Sequence, residues 1–218
     1  MSKDERLETV RGYTYKYSND WTKNLETERH WRLYWYQQNV IQDYMEQGDS
    51  ILEIGVGSGF TANYLKSRGF KVTTLDIDER KNPDIVANLV DYKFQENYDH
   101  ILAFEVFEHI PINEVEKIIN QLSTICTKNM FISVPRNEIV LLRLETRLPL
   151  IGTKMFEITL KRRKIAIPYH CWEIDHNGLT TSKFRTFLSK AGFNTINIFK
   201  KWSIFFFVLK PTTDKPTL

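Results

Sequence analysis

From Ser50 to Gly69 the chain reads as a buried strand, "SILEIGV", a glycine-rich turn, and a short helix, "FTANYLKSRG", ended by Gly69. No other stretch restricts the fold as much, because the same alternation then repeats. "KVTTLDI" is a second strand, "PDIVANLV" holds a third and "YDHILAFEV" a fourth. "INEVEKIINQLSTIC" is the clearest helix, with Val115, Ile118, Ile119, Leu122 and Ile125 at helical spacing and Asn113 with Glu116 set for a capping box. "MFISVP" is a fifth strand. After a long interruption come an amphipathic helix, "TTSKFRTFLSKAGF", and two adjacent strands, "TINIFKKW" and "SIFFFVLK", that read as a hairpin. Strands alternating with helices imply an α/β fold. Its sheet is mostly parallel, with right-handed crossovers and ligands at the strands' C-terminal ends.

The 218 residues allow one substantial core, and 42% hydrophobic with 26% charged residues is ordinary for a globular domain. A net charge of +3 does not argue for nucleic acid. Cys126 and Cys171 offer neither a disulfide framework nor zinc spacing, and "MSKDERLETV" has no signal-peptide core, so a cytoplasmic location is expected. No apolar stretch reaches the roughly 20 residues of a spanning helix. Residues 1–49 are expected to form an N-terminal helical cap, with a helix from about Asn24 to Gln47. Its stripe of Trp31, Tyr34, Trp35 and Tyr36 is expected to pack in the core, a substrate lid being the other reading. The main domain spans 50–210 with an insertion at about 136–178, and 211–218 is a tail.

In "ILEIGVGSGFT", Glu53 ends a strand and Gly55, Gly57 and Gly59 let a ligand lie against bare main chain. The pattern is not the dinucleotide fingerprint, and it lacks the Lys–Ser/Thr pair of a phosphate-binding loop. Asp76 ends the second strand, where a carboxylate can accept from both hydroxyls of a ribose.

From "ILEIGVGSG" through "LDID" and "YDHILAFEVFEHIP" to "FISVP", the chain resembles the class I S-adenosylmethionine-dependent methyltransferases. The resemblance implies their Rossmann-like, seven-stranded, mostly parallel sheet with a C-terminal antiparallel hairpin and helices on both faces. It implies that Gly55, Gly57 and Gly59 line the methionine and ribose of the cofactor, that Glu53 stands near its ammonium, and that Asp76 holds the ribose. Asn88 and Leu89 fall where the family contacts adenine, with Asp91 as the alternative to Asn88. Glu105, at the end of the fourth strand, would lie next to the transferable methyl.

"FEVFEHIP" crowds Glu105, Glu108 and His109 into five positions. Two readings stay open. In many family members this turn binds no metal, and the carboxylates and imidazole hold the turn or act as general base. In small-RNA 2′-O-methyltransferases and ubiquinone-biosynthesis O-methyltransferases a similar E-x-x-E-H turn holds a divalent ion. By that resemblance Glu105, Glu108, His109 and the later His170 would hold Mg²⁺ or Mn²⁺, with His176 the weaker candidate. The catalytic candidates are His109, Glu108 and Glu105. A divalent ion would stabilise an alkoxide as Glu108 or His109 takes its proton.

Within the insertion, Val140, Leu141, Leu144 and Leu148 fall at helical spacing, with Arg143 and Arg147 on another face. A helix is expected there. It could lie on a lipid surface, as the insertion of ubiquinone-type relatives does, or its basic neighbours Lys161, Arg162, Arg163 and Lys164 could track RNA phosphates. Trp172 and Glu173 are candidates for the substrate side. The expected activity is methyl transfer to a hydroxyl of a small or lipid-linked metabolite, a sugar or quinone precursor. RNA 2′-O-methylation and a non-catalytic, cofactor-binding partner subunit are the alternatives.

Overall fold

The computed structural model describes residues 8–10, 13–15, 27–150 and 152–212. A short antiparallel pair, β1 (Glu8–Val10) and β2 (Tyr13–Tyr15), precedes α1 (Glu28–Ile41), whose N-cap is Thr27. The alternating core follows as β3 (Ser50–Ile54), α2 (Phe60–Ser67), β4 (Lys71–Asp76), the two-residue β5 (Ile85–Val86), β6 (Tyr98–Phe104), α3 (Ile112–Ile125) and β7 (Cys126–Pro135). The insertion holds β8 (Glu138–Leu148) and β9 (Gly152–Lys161). Then α4 (Thr181–Lys190), β10 (Phe193–Lys201) and β11 (Ile204–Pro211) close the chain.

Seven strands make one sheet in the order β10-β11-β7-β6-β3-β4-β5. Strands β3 to β7 are parallel, whereas β11 runs antiparallel to β7 and β10 antiparallel to β11. The expected Rossmann-like sheet with its closing hairpin is therefore present. Alternate residues of each central strand feed two cores. Leu52, Ile101, Ile132 and Phe207 pack with α3 and α4, while Ile51, Leu102, Phe131 and Phe206 pack with α1 and α2. Strands buried on both faces are why these segments read as continuous apolar runs. The chain leaves β3 toward β4 and β5, then returns to β6 on the other side. The switch point at the C-terminal ends of β3 and β6 opens a crevice there.

Several expectations need correction. The insertion forms an antiparallel ribbon, β8 paired with β9, in place of the expected helix. Val140, Leu144 and Leu148 lie four apart, a spacing that suits one face of a strand as well as one face of a helix. Leu142 decides the matter: with Leu144, and with Arg143, Glu145 and Arg147 between and beyond, it completes a period of two. A register shift between Val140 and Leu142 places Leu142 opposite Ile158 and Leu144 opposite Phe156. The capping box at Asn113 and Glu116 does not form, because α3 begins two residues earlier, with Pro111 in the N-cap position. The aromatic stripe of α1 is not core: Trp31 and Trp35 are 48% and 60% exposed, and the buried face is Gln37, Val40 and Ile41. Of the expected 1–49 cap only part is described, and of the 211–218 tail only Pro211 and Thr212; the rest lies outside the described residues.

Candidate active site

The glycine turn is fixed from both sides. Gly55 takes φ +81°, and a Cβ there would meet Val106 Cγ2 at 2.6 Å, so the close approach of the β3 and β6 ends demands glycine. Behind the turn, Asp76 Oδ2 accepts the Val56 N–H at 2.9 Å and Oδ1 accepts the Asp78 N–H at 2.9 Å, with Lys81 Nζ at 3.4 Å. Gly55, Gly57, Asp76, Asn88, Leu89, Glu105 and His109 line one cavity over the switch point, as does Lys81, which the motifs did not single out. Asp91 is not on that wall. It accepts from Asn88 Nδ2 at 3.2 Å, and so orients the amide that is. Gly59 caps α2. Glu53 lies just behind the lining, 5% exposed, with Oε2 unpartnered. Burial pushes its carboxyl up to about 8, and Asp76 adds to the effect.

The β6 end is unusual backbone. Glu105 takes φ +56°, and its N–H donates to the Ser133 carbonyl and hydroxyl at 3.2 and 3.0 Å. The Ser133 hydroxyl in turn donates to Glu105 Oε1 at 2.8 Å. Ser133 lies in "FISV" on the neighbouring strand, opposite Phe104 in the parallel register of β6 and β7 that brings it there. Burial raises Glu105 to about 7, with Glu173 adding and Ser133 and Arg29 opposing. Glu108 is fully buried, both its oxygens lack a partner, and burial followed by the charge of Glu105 holds it well above the usual carboxylate range.

A strap at 169–173 is zipped onto this turn. The Cys171 N–H donates to the Glu108 carbonyl at 2.7 Å, the Cys171 thiol lies 3.5 Å from the His109 carbonyl, and the Trp172 indole donates to the Ile110 carbonyl at 2.9 Å. His109 Nδ1 meets the Tyr169 carbonyl at 3.3 Å, and the Tyr169 ring stacks on the imidazole at 5.6 Å. These contacts bring His170 to His109, with ring centroids 5.0 Å apart, although 60 residues separate them. Ligand atoms of Glu108, His109 and His170 lie within 4.8 Å of one another. Glu105 is not part of that group, and neither is His176. His170 Nδ1 is engaged by Glu173 Oε1 at 2.8 Å and His109 Nδ1 by a carbonyl, so each Nε2 is left for a ligand. Burial, then His170, lowers His109 to about 4, which leaves it neutral at pH 7. Two imidazoles with open Nε2 atoms and an orphaned buried carboxylate are a donor set that suits Mn²⁺ better than Mg²⁺, which prefers oxygen ligands.

A second cavity, of about 800 Å³, opens on the other side of the turn. α1 lines it with Arg29 and Leu33, the strap with Tyr169, His170 and Glu173, the ribbon with Arg143, and the β10–β11 turn with Trp202. Glu173 therefore lies where the sequence suggested, while Trp172 works behind the wall. Glu105 and His109 line both cavities.

A family profile described as a methyltransferase domain matches residues 29–198. Among solved structures, an S-adenosylmethionine-dependent methyltransferase from Clostridium acetobutylicum ATCC 824 is similar at TM-score 0.56 and 10% identity, over 88% of this chain and 98% of that one. The PH0226 protein from Pyrococcus horikoshii OT3 is similar at TM-score 0.58 and 12% identity, over 87% and 94%. The glycopeptide N-methyltransferase MtfA, complexed with S-adenosyl-L-homocysteine, is similar at TM-score 0.55 and 9% identity, over 80% and 88%. No curated protein matches the chain in sequence.

Proposed function

The chain belongs to the methyltransferase-domain family, and on that premise we propose that this S-adenosylmethionine-dependent methyltransferase methylates a hydroxyl of a small or lipid-linked metabolite. The observation that carries the hydroxyl is the turn between the two cavities, where a neutral His109 and the orphaned Glu108 stand beside His170. An amine free base needs no such help, whereas an aliphatic hydroxyl must lose a proton far above neutral pH. The fold does not choose the acceptor atom, since a glycopeptide N-methyltransferase shares it.

In this reading the cofactor supplies an electrophilic methyl on a sulfonium. Gly55 and Gly57 give its methionine and ribose bare backbone, Asp76 accepts from the ribose, and Asn88 with Leu89 flank the adenine. Glu105, braced by Ser133, closes the cofactor side next to the methyl. In the metal-free site His109 takes the hydroxyl proton on Nε2, because Nδ1 is held by the Tyr169 carbonyl; with an ion bound, that nitrogen would be a ligand instead. The enzyme's main contribution is to hold oxygen, carbon and sulfur in line. Glu108, His109 and His170 would hold a divalent ion, which would lower the pKa of the acceptor hydroxyl.

The same cluster suits vicinal hydroxyls at an RNA 3′ end, the second reading. Calorimetry with S-adenosylmethionine tests the cofactor, and absence of binding would sink every enzymatic version. Assays with hydroxyl metabolites and with RNA, run with EDTA and then with restored Mg²⁺ or Mn²⁺, test the rest. Loss and recovery of activity is expected; activity indifferent to EDTA would leave the turn a metal-free general base.

A further inference from the structure

Five arginines and six glutamates line the acceptor cavity, and two of the arginines have no ion-pair partner among the described residues. Three arginines on its wall are answered by carboxylates: Arg32 by Glu28 at 2.9 Å, Arg136 by Asp175 at 2.6 Å and Glu138 at 2.7 Å, and Arg143 by Glu157 at 2.5 Å. Arg29, exposed on α1 and acting on the Glu105 carboxyl only at long range, and Arg162, just after β9, line the same cavity and make no ion pair among the described residues. Arg162 is half-buried.

Beside Arg162 stands a second unanswered group. Asn137 is 1% exposed and lines the cavity. Its main chain is fully used, the N–H on the Ile174 carbonyl at 2.8 Å and the carbonyl on the Arg162 N–H at 3.3 Å. Its Nδ2 donates to the Arg162 carbonyl at 3.0 Å, which fixes the amide's orientation and leaves Oδ1 buried with no partner. A buried amide oxygen without a donor has given up its water on folding and gained nothing in return. Guanidinium is the group that pairs planar oxyanions through two parallel hydrogen bonds. One ligand bearing an oxyanion and a hydroxyl would satisfy all three groups.

We propose that the methyl acceptor is an anionic hydroxyl compound, whose carboxylate or phosphate is bound by Arg162 and Arg29 and one of whose hydroxyls donates to Asn137 Oδ1. This rests on the reading of the cavity as the acceptor site of a methyltransferase. Arg162 and Asn137 thereby become specificity residues, contributed by the root of the ribbon and set apart from the Glu105–His109 turn where the methyl passes. A neutral acceptor of the same shape would leave the guanidiniums and the amide oxygen unanswered.

The probes are inorganic phosphate and benzoate, titrated into the full chain loaded with S-adenosylhomocysteine at constant ionic strength, with chloride as baseline. Trp202 lines the cavity, so tryptophan fluorescence follows occupancy. Saturable binding is expected, weakened roughly tenfold or more in Arg162→Gln and in Arg29→Gln, as loss of a charge-assisted hydrogen bond predicts. Tighter binding of phosphate marks a phosphorylated acceptor, and tighter binding of benzoate a carboxylated one. No binding above chloride, or binding unchanged in both variants, overturns the proposal. Calorimetric binding of S-adenosylhomocysteine alone, which uses the other cavity, reports separately on the methyltransferase reading.

Discussion

Glu53 shows what a single buried carboxyl can report. Folding lifts it from an ordinary 4.5 to about 8, chiefly by burial, so the folded chain holds this proton more tightly than the unfolded one. Its contribution to stability is therefore fully present below pH 4.5 and is lost as pH rises toward 8. A cofactor ammonium beside it would favour the ionised form, so binding must expel a proton. Affinity for S-adenosylmethionine is expected to rise almost tenfold per pH unit between about 6 and 7.5, below the range of roughly 7.7–8 where an α-amino group loses its own charge. Calorimetry in buffers of different ionisation enthalpy would count the proton. Glu53→Gln should bind more weakly and with a flat pH profile; a flat profile in the unaltered chain would remove Glu53 from the ammonium site. The acid at the end of a strand before a glycine turn was legible in the sequence. Its unpartnered oxygen was not, since burial on that scale comes from α2 and β4 closing over it.

At the scale of elements, the strap and the ribbon carry the site's novelty. Nothing local places His170 beside His109; the placement comes from hydrogen bonds between the strap and the turn at Glu108, His109 and Ile110. Trp172→Phe keeps the ring against Phe184, 5.4 Å away, and removes the indole donor to Ile110. About 1 kcal/mol of stability should be lost, and the chain should still melt cooperatively. Mn²⁺ affinity, measured by titration, is expected to fall several-fold because His170 loses its register with Glu108. Unaltered affinity would mean that the strap does not position the imidazole. The ribbon was read as a helix because its apolar residues four apart satisfy both periods, and a partner strand is not visible from one segment alone.

At the scale of the molecule, the ribbon sorts its charges. Glu138 and Glu157 turn inward to Arg136, Arg143 and Lys200, binding the ribbon to the β10–β11 end of the sheet. The outward face presents Leu142, Leu144, Phe156, Ile158 and Leu160, each exposed, with exposed Lys154 and Lys161 on the same strand and exposed Arg163 and Lys164 just beyond its end. No helix among the described residues is long and apolar enough to cross a membrane. An apolar face with a cationic rim instead suits the surface of an anionic bilayer, where a lipid-linked acceptor would reside. The protein is expected to co-sediment with anionic vesicles. The double variant Leu144→Ser, Phe156→Ser should lose that binding with an unchanged melting temperature, both side chains being exposed. Equal sedimentation of the two proteins would exclude this face.

The sequence by itself determined the doubly wound sheet, the glycine turn with Asp76 behind it, and the polar crowding at Glu105, Glu108 and His109. Each of these is a local pattern: buried parallel strands must be apolar throughout, and a turn against a neighbouring strand end must be glycine. Only the tertiary structure decided that Glu108, His109 and His170 share one point, that Glu105 leans on Ser133, that the insertion is a ribbon, and that Asn137 and Arg162 stand unanswered in one cavity. Those are pairings across tens of residues, fixed by strand register and by hydrogen bonds between distant segments, and no window of the chain contains both partners.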